Sequence, residues 1–452
     1  MQIDEKLKRL VKPRDTWMPP DAALFTPKNL LNIENKKAEK LKFKAIKYSF
    51  THHYNNNYFY HQICKEEGIK PDDIKNPSDV TKIPLIPDTF FKDYPSDGKK
   101  FLKWLRSISS VKIPSVPLRS SNPSYDDVIS ALYKRGIDVM FTSGTSGRFS
   151  FVPRDRISID RLKYSWLKCL SETLTYYPDS YTILLIPNPF KTHLTLARAF
   201  GLAFELFDDS KVHIAMKNKI ITTKLLSMLR TAKMGADKKI KSKIVNAFGT
   251  ISQKRSDLRV INLIEKLSDK GCKINIAGPP FWLDRIMSLL ENNGKHIRLA
   301  DGSQVFTGGG WKIYADRKTP EKVFMEKLEK TLGITRERYR DCYAMTECTA
   351  AFMDCEGHYK HIPNSFLHPM VLDENLQPLG YNEYGRFAFI DPLANSYPGF
   401  IITGDRVKLL EHCPVCERPG PVLYPEITRC HGSEIRGCAL IMEEIMKDLS
   451  KE

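Results

Sequence analysis

Between residues 139 and 347, short apolar segments alternate with helical segments, and this alternation constrains the fold more than any other feature. The segments 181–187, 273–278 and 304–308 are apolar, and the intervening segments 281–290 and 320–332 have the spacing of amphipathic helices. Strands separated by helices of this length form parallel sheets that helices cover on both faces. We therefore predict an α/β fold that binds ligands at the carboxyl ends of its strands.

The composition of the 452-residue chain is that of a folded globular protein, with 42% hydrophobic and 27% charged residues. Such a composition supplies enough apolar area for a core, so a mostly disordered chain is not expected. The chain contains no run of about 18 apolar residues, and its first residues form no apolar signal core. We therefore expect neither a membrane span nor secretion, but a cytoplasmic protein whose ten cysteines are reduced.

A hydroxyl- and glycine-rich segment follows the predicted strand that begins at Val139. It consists of Thr142, Ser143, Gly144, Thr145, Ser146 and Gly147. Backbone N–H groups and hydroxyls in such a segment can wrap phosphate oxygens. Arg148 and Phe149 follow instead of the Lys and Ser or Thr of a Walker loop, so the segment is not that motif. Taken alone, it also fits a flexible loop.

Three further motifs stand at predicted strand ends. They are Gly308, Gly309 and Gly310; the run from Tyr343 to Glu347, which includes Thr346; and the run from Ile401 to Asp405. The glycines allow a planar ligand to approach closely, or form a plain turn. The hydroxyl and carboxylate of the second motif suit a phosphate oxygen and Mg²⁺. The alternative is that the acid is merely exposed at a strand end. The aspartate of the third can accept both hydroxyls of a ribose, or hold a turn.

In this order, the four motifs resemble those of the adenylate-forming superfamily of acyl- and aryl-CoA synthetases. The resemblance implies the fold of that superfamily's amino-terminal domain, with parallel sheets covered by helices, and it implies ATP and Mg²⁺ as cofactors. By this resemblance residues 142–147 hold the ATP phosphates, Gly308 to Gly310 flank the adenine, and Tyr343 stacks on the adenine.

The same resemblance assigns the remaining nucleotide contacts. It places Thr346 at the α-phosphate, Glu347 on Mg²⁺, and Asp405 and Arg429 at the ribose. The sequence departs from the superfamily at two positions, because Ala344 and Thr428 stand where the superfamily usually has glycine.

Within the superfamily, three segments are similar to the acyl-protein synthetase family, which includes the synthetase subunit of the fatty-acid reductase of bacterial bioluminescence. They are residues 308–312, 397–405 and 432–438. The whole resemblance covers residues 45 to 440, while the basic region 210–260 and the first forty residues are unmatched. It implies an enzyme that activates a carboxylic acid, here a fatty acid, as an acyl-adenylate. The acyl group then passes to Cys438, in an Arg-Gly-Cys sequence, or to a partner such as an acyl-accepting reductase or a carrier protein.

We predict three parts of the chain: a helical region and linker (1–100), an adenylate-forming core (101–405) and a reduced carboxyl-terminal segment (406–452). Typical CoA ligases have a mobile carboxyl-terminal domain that supplies a catalytic lysine, whereas only 47 residues follow Asp405. This favours acyl transfer to a protein thiol and leaves Lys312 as the candidate lysine. The alternatives are an acyl- or aryl-CoA ligase and a non-catalytic module with a synthetase fold.

The cysteines fall into two groups. Cys413 and Cys416 have the spacing of a zinc knuckle, but no second pair follows to complete it. The resemblance to phenylacetate-CoA ligases adds Cys355 and His361, giving a structural Zn²⁺ site; the alternative is four reduced, unliganded side chains. The rival ligands are His358, His412 and Cys430. The predicted core cysteines are Cys64, Cys169, Cys272, Cys342 and Cys348.

The net charge of +17 is concentrated between Lys217 and Arg259, where twelve Lys and Arg residues face two acids. Such a stretch fits a docking face for an acidic partner, or a solvated helical region, which we favour. Few aromatic residues are interspersed, so nucleic-acid binding is not expected. The oligomeric state is not readable from the sequence.

Overall fold

The computed structural model describes residues 3–143, 148–234, 239–311 and 318–430, with the side chains of residues 229–253 excepted. In chain order the helices are α1 (Ile3–Lys8), α2 (Pro19–Phe25), α3 (Asn35–Asn56), α4 (Tyr58–Glu66), α5 (Gly98–Ser107), α6 (Tyr125–Tyr133), α7 (Arg156–Ser171), α8 (Thr195–Phe200), α9 (Ala203–Leu206), α10 (Thr223–Met234), α11 (Lys239–Ser268), α12 (Pro280–Asn292) and α13 (Glu321–Leu332). Within these ranges, none of the helices combines the length and apolarity that a membrane crossing needs.

The strands are likewise numbered in chain order. They are β1 (Ile86–Pro87), β2 (Asp138–Phe141), β3 (Phe151–Arg154), β4 (Tyr181–Pro187), β5 (Val212–Met216), β6 (Ile274–Gly278), β7 (Gln304–Gly308), β8 (Tyr339–Ala344), β9 (Ala351–Asp354), β10 (Lys360–His361), β11 (His368–Leu372), β12 (Tyr384–Ile390), β13 (Phe400–Leu410), β14 (Val422–Leu423) and β15 (Thr428–Arg429). The contacts divide the chain into two compact units.

The first unit contains residues 1–6, 142–147 and 173–343. Its strands lie in the order β5-β4-β6-β7-β8, and every neighbouring pair is parallel. Side chains of the strands and of helices α11, α12 and α13 form its apolar core, which includes Ile276, Val305 and Leu328. Helix α13 ends where Gly333 takes the left-handed conformation, with φ of 67°. The predicted parallel α/β sheet is confirmed.

The second unit contains residues 7–141, 148–172 and 344–452, and its described strands are mostly antiparallel. They run in the order β11-β12-β13-β14-β10-β9, β1 joins β13 in parallel, and β2 and β3 form a separate hairpin. The amino-terminal helices pack against this sheet through aromatic side chains such as Phe50 and Tyr60, whose rings contact Phe400. The antiparallel half was not predicted from the alternation of strands and helices.

Two local features shape the amino-terminal region. Helices α3 and α4 are separate, because the Asn57 side chain accepts a hydrogen bond from the Tyr60 N–H and begins α4. Further along the chain, Pro77–Lys82 forms a 3₁₀ helix. There the Asp79 carboxylate accepts hydrogen bonds from the N–H groups of Lys75 and Asn76.

The predictions for the core cysteines and the basic stretch agree with the structure, with one exception. Four of the five predicted core cysteines are buried, whereas Cys272 is half-buried. The basic stretch between Lys217 and Arg259 falls mainly on α10 and α11, as the helical interpretation requires. Asp257, one of its two acids, is buried and accepts hydrogen bonds from Trp282 and Arg285, so it does not offset the surface charge.

Candidate functional site

The glycine motif of the first unit ends strand β7. A side chain at Gly308 would put its Cβ 2.5 Å from the Cys342 sulfur, because these two residues are paired across β7 and β8. Gly309 and Gly310 have φ angles of 79° and 62°, in the region that favours glycine. Close packing therefore requires glycine at the first position, and backbone conformation favours it at the next two. The motif leaves backbone without side chains at the carboxyl end of β7.

A polar group that the sequence analysis missed lies beside these glycines. The Thr307 hydroxyl donates to the Asp341 carboxylate at 2.6 Å and lies 2.8 Å from the Tyr339 hydroxyl. Asp341 and Tyr343 are two residues apart on β8 and so project from the same face of that strand. The signal in the sequence is the alternation Tyr339, Asp341, Tyr343, which places three polar side chains on one face.

In the second unit, Thr346 and Glu347 follow the end of β8 and are both buried. Burial raises the pKa of the Glu347 carboxyl, and the neighbouring Asp88 carboxylate raises it further, whereas the Ser150 hydroxyl and the Lys92 ammonium lower it. Asp88 and Lys92 form an ion pair of 2.7 Å. A cation beside this buried carboxyl group would favour its ionised form.

Asp405 and Arg429 lie opposite each other on paired antiparallel strands, β13 and β15. Arg429 Nε is 3.2 Å from Asp405 Oδ1, and the side chain of Arg429 is 67% exposed while that of Asp405 is 12% exposed. The prediction that Asp405 directly follows a strand is wrong, because β13 continues to Leu410. Alternation along β13 instead puts Asp405 on the same buried face as Val407 and Leu409.

The four predicted zinc ligands meet in the second unit, although up to 61 residues separate them in the chain. Cys355 follows β9, His361 lies on β10, and Cys413 and Cys416 lie between β13 and β14. Their ligand atoms are all within 4.8 Å of one another. The Cys355 and Cys413 sulfurs are 3.7 Å apart, and the Cys416 sulfur is 3.3 Å from His361 Nε2. A zinc tetrahedron with bonds of about 2.3 Å has edges of about 3.8 Å, close to these separations.

Burial favours the uncharged forms of three of these side chains, Cys355, Cys416 and His361. Burial raises the pKa of Cys355 to about 12 and also raises the pKa of Cys416. Burial, with the Arg418 guanidinium as the second cause, lowers the pKa of His361 to about 4. Of the rival ligands, His358 turns instead to Asp354, with 3.6 Å between Nδ1 and Oδ2. Among the described residues, the four predicted ligands are the one group of His, Cys, Asp or Glu side chains close enough together to hold a metal ion.

Several predicted site residues lie outside the described residues. These are Gly144, Thr145, Ser146 and Gly147 of the hydroxyl-rich segment, Lys312 and Cys438. Thr142 and Ser143, the first two residues of that segment, directly follow β2. Strand β2 belongs to the antiparallel hairpin with β3, so this segment does not leave a parallel sheet as the sequence analysis assumed.

Comparison with known proteins yields one family and two curated relatives. Residues 252–447 match the family described as acyl-protein synthetase, LuxE. A long-chain-fatty-acid–luciferin-component ligase of Vibrio harveyi is 23% identical over 418 residues, which is 90% of this chain and 88% of that protein. The ligase of the same name from Aliivibrio fischeri is 22% identical over 432 residues, which is 92% of this chain and 91% of that protein.

Two solved structures show the fold. An open conformation of 2-hydroxyisobutyryl-CoA ligase in complex with 2-HIB-AMP and CoA aligns with a TM-score of 0.54 at 13% identity, covering 93% of this chain and 75% of that chain. The same ligase in its postadenylation state gives a TM-score of 0.55, also at 13% identity, with 93% and 73% covered. The fold is therefore that of the adenylate-forming ligases. The resemblance to the acyl-protein synthetase family is confirmed as well, by the family match over residues 252–447 and by the two relatives over about nine-tenths of the chain.

Proposed function

We propose that this chain is an acid–thiol ligase that activates a long-chain fatty acid with ATP and transfers the acyl group to a protein thiol. The observation that carries the proposal is the likeness, over about nine-tenths of both chains, to two ligases named for long-chain fatty acids and a luciferin component. The adenylate-forming fold and the Asp405–Arg429 pair support it. We also propose an acyl-accepting reductase or carrier protein as the partner.

The first half-reaction joins the acid to AMP. A carboxylate oxygen of the fatty acid forms a bond to the α-phosphorus of ATP, and the bond from that phosphorus to pyrophosphate breaks. The chain's contribution is to position the reactants and to neutralise charge that develops on the phosphates. We assign residues 142–147 to the phosphates, Gly308 to Gly310 and Tyr343 to the adenine, and Thr346 to the α-phosphate.

Glu347 has the residue chemistry to hold the Mg²⁺ that accompanies ATP, because carboxylate oxygens are preferred ligands of this hard cation. When bound, Mg²⁺ draws negative charge from the phosphate oxygens. The second acid, Asp88, is paired with the Lys92 ammonium, whose positive charge offsets much of the negative charge of Asp88. We assign the ribose to Asp405 and Arg429.

The second half-reaction moves the acyl group to sulfur. A thiolate attacks the acyl carbonyl, a thioester bond forms, and AMP leaves with the electron pair of the broken anhydride bond. We propose Cys438 as this nucleophile on the motif resemblance, with Lys312 as the candidate for the cationic group at the adenylation step. Acyl transfer to free CoA is the alternative outcome.

A hydroxylamine-trapping screen tests the proposed activity directly. The purified chain is incubated with ATP, Mg²⁺, hydroxylamine and one acid at a time, from short to long saturated acids and including aromatic acids. We expect ATP-dependent hydroxamate from long-chain acids and little from the others. Absence of hydroxamate with every acid would contradict the proposal. Hydroxamate formation that depends on added CoA would favour the CoA ligase.

We expect Asp405→Asn to weaken ATP binding by about tenfold or more, with a smaller effect on the maximal rate. The carboxylate accepts charge-assisted hydrogen bonds from the ribose in the proposed site, and each is worth about 1.5 to 3 kcal/mol. ATP titration of the ATP–pyrophosphate exchange rate measures this. Asp373→Asn is the matched control, because that carboxylate holds a turn by accepting the N–H groups of Asn375 and Gln377. Equal KM values for ATP in parent and Asp405→Asn would remove Asp405 from the site.

We also propose one structural Zn²⁺ per chain, held by Cys355, His361, Cys413 and Cys416. Four protein ligands close the coordination shell, so the ion would serve stability and not catalysis. It would join the β9–β10 region to the β13–β14 connection, segments that are distant in the sequence. The neutral His361 offers an unprotonated nitrogen at pH 7, whereas the thiols must lose protons on binding.

Elemental analysis of protein purified without added metal should find about one zinc per chain. Because binding releases up to about three thiol protons, we expect the affinity for zinc to fall as the pH is lowered. His361→Gln should lose the ion to a chelator at a concentration that the parent resists, and the melting temperature should fall by several degrees. His358→Gln, three residues earlier in the chain, should retain it. A metal-free parent that is fully folded and active would contradict this proposal.

A further inference from the structure

The segment that carries Thr346 and Glu347 has no regular secondary structure, yet its backbone is fixed by buried side chains. It spans residues 345–350 between β8 and β9. Backbone carbonyl groups outside a sheet need other hydrogen-bond donors when they are buried. In this segment, two side chains from other parts of the second unit supply them.

Arg154, at the end of β3, is the first of these side chains and is 0% exposed. Its Nη2 donates to the carbonyl oxygens of Thr346 at 2.8 Å and Cys348 at 3.1 Å. Its Nη1 lies 3.3 Å from the Thr349 hydroxyl oxygen. One nitrogen of the guanidinium thus holds both residues that flank Glu347, and a second nitrogen reaches Thr349. A lysine ammonium has a single nitrogen and does not match this spread of donors.

Tyr397 is the second side chain and is also 0% exposed. Its hydroxyl donates to the Glu347 carbonyl oxygen at 3.2 Å, and the Arg154 guanidinium lies over its ring, 5.2 Å from the centroid. The two side chains therefore support each other while they bind the carbonyl groups of three consecutive residues, 346, 347 and 348.

The elements that carry Arg154 and Tyr397 are tied together. The Ser396 hydroxyl donates to the Pro153 carbonyl oxygen at 2.8 Å, and the Asn395 amide donates to the Asp155 carboxylate at 2.7 Å. Residues 153–155 and 395–397 thus form one framework around the segment. In addition, the Asp391 carboxylate accepts the Thr349 N–H.

Burying a guanidinium is costly, and replacing buried charged side chains and their partners by apolar side chains of similar volume often gives equal or greater stability. Arg154 does something that apolar side chains cannot do, because its hydrogen bonds to the backbone fix the direction in which the Thr346 and Glu347 side chains project. We propose that Arg154 and Tyr397 are positioning residues, which hold Thr346 and Glu347 in the geometry that binds the nucleotide's Mg²⁺ and α-phosphate. This inference rests on the proposed function and adds two residues to its site.

The variants that test it are Tyr397→Phe and Arg154→Lys, with Tyr60→Phe as the matched control. Tyr397→Phe removes only the hydroxyl and leaves the ring under Arg154. Tyr60 is also 0% exposed, and its hydroxyl also donates to a backbone carbonyl, that of Pro84 at 2.8 Å. The control therefore reproduces the loss of one buried hydrogen bond to a carbonyl group outside residues 345–350.

Two measurements separate positioning from a merely structural role. The first is the Mg²⁺ concentration that gives half-maximal ATP–pyrophosphate exchange, which we expect to rise about threefold to tenfold in Tyr397→Phe. We expect a larger rise in Arg154→Lys, no change in Tyr60→Phe, and an unchanged KM for the acid in all three. The second is amide hydrogen exchange, which should become faster over residues 345–350 in the first two variants only.

Each outcome decides the inference. An unchanged Mg²⁺ requirement in Tyr397→Phe, or one that Tyr60→Phe reproduces, would overturn it, and so would unchanged amide exchange over residues 345–350. If Arg154→Lys does not fold, Tyr397→Phe alone decides. A parent without ATP–pyrophosphate exchange would overturn the proposed function and this role with it, whereas an active parent with unaffected variants would overturn the role only.

Discussion

Glu347→Gln should lower the rate of ATP–pyrophosphate exchange at saturating Mg²⁺ by about 10²-fold or more. The substitution keeps the size of the side chain and removes one negative charge where, in the proposed site, a cation meets the phosphates. Loss of a single electrostatic contact to a developing charge typically costs about 10² to 10³ in rate. The exchange rate, measured at several Mg²⁺ concentrations, tests this directly.

The ionisation of Glu347 adds a second readout. Burial and the Asp88 carboxylate raise the pKa of Glu347, so protons and Mg²⁺ compete for the same carboxylate. The ionised form binds the cation, and therefore activity should be lost as the pH falls. The pH at which half of the activity is lost should move lower as the Mg²⁺ concentration is increased. In Glu347→Gln this midpoint should no longer depend on Mg²⁺.

Glu172→Gln is the matched control for Glu347→Gln. Glu172 is a carboxylate whose pKa burial also raises, but it accepts the backbone N–H groups of Leu30 and Leu31. An amide group can accept only one of these two hydrogen bonds, so Glu172→Gln should lower the melting temperature and leave the Mg²⁺ dependence of exchange as in the parent. If Glu347→Gln shows normal exchange, or if both variants lose exchange in parallel with stability, the assignment of Glu347 to the cation is wrong.

The parts of the fold that follow from periodicity were predictable from the sequence. Strands β4, β6 and β7 are apolar runs, and α12 and α13 have amphipathic spacing, so the parallel sheet of the first unit could be predicted. The antiparallel second unit could not, because its order depends on pairing between distant segments such as β1 and β13. The three-part division of the chain at residues 100 and 405 stays a prediction.

For the candidate site, the sequence predicted side chains better than their surroundings. The four predicted metal ligands meet as the motif resemblance implied, and Asp405 and Arg429 lie opposite each other. The position of Asp405 inside β13 was missed because glycine and aspartate are typical of turns and depleted in strands. Asp88 and Arg154 were missed altogether, since their roles depend on contacts with residues more than 190 positions away.

Cys438→Ser should keep acyl-adenylate formation and lose the acyl label on the protein. In the proposed reaction the thiolate takes the acyl group from the adenylate, which divides one difficult transfer into two easier steps. A serine hydroxyl at the same position is a far weaker nucleophile at neutral pH, because the thiolate is the reactive form of cysteine and a hydroxyl ionises much less readily. The parent, incubated with radiolabelled fatty acid and ATP, should retain a label that survives denaturation and is released by neutral hydroxylamine, as a thioester is.

ATP–pyrophosphate exchange in Cys438→Ser should equal that of the parent, since only the step after adenylation uses the thiol. Cys430→Ser is the matched control, because it removes a half-buried thiol eight residues earlier in the chain and should leave both exchange and label unchanged. A thioester-type label that persists in Cys438→Ser would assign the acyl group to another residue. Efficient transfer to free CoA by both parent and variant would replace acyl-protein synthesis with CoA ligation, because the acyl-adenylate would then be consumed without any protein sulfur.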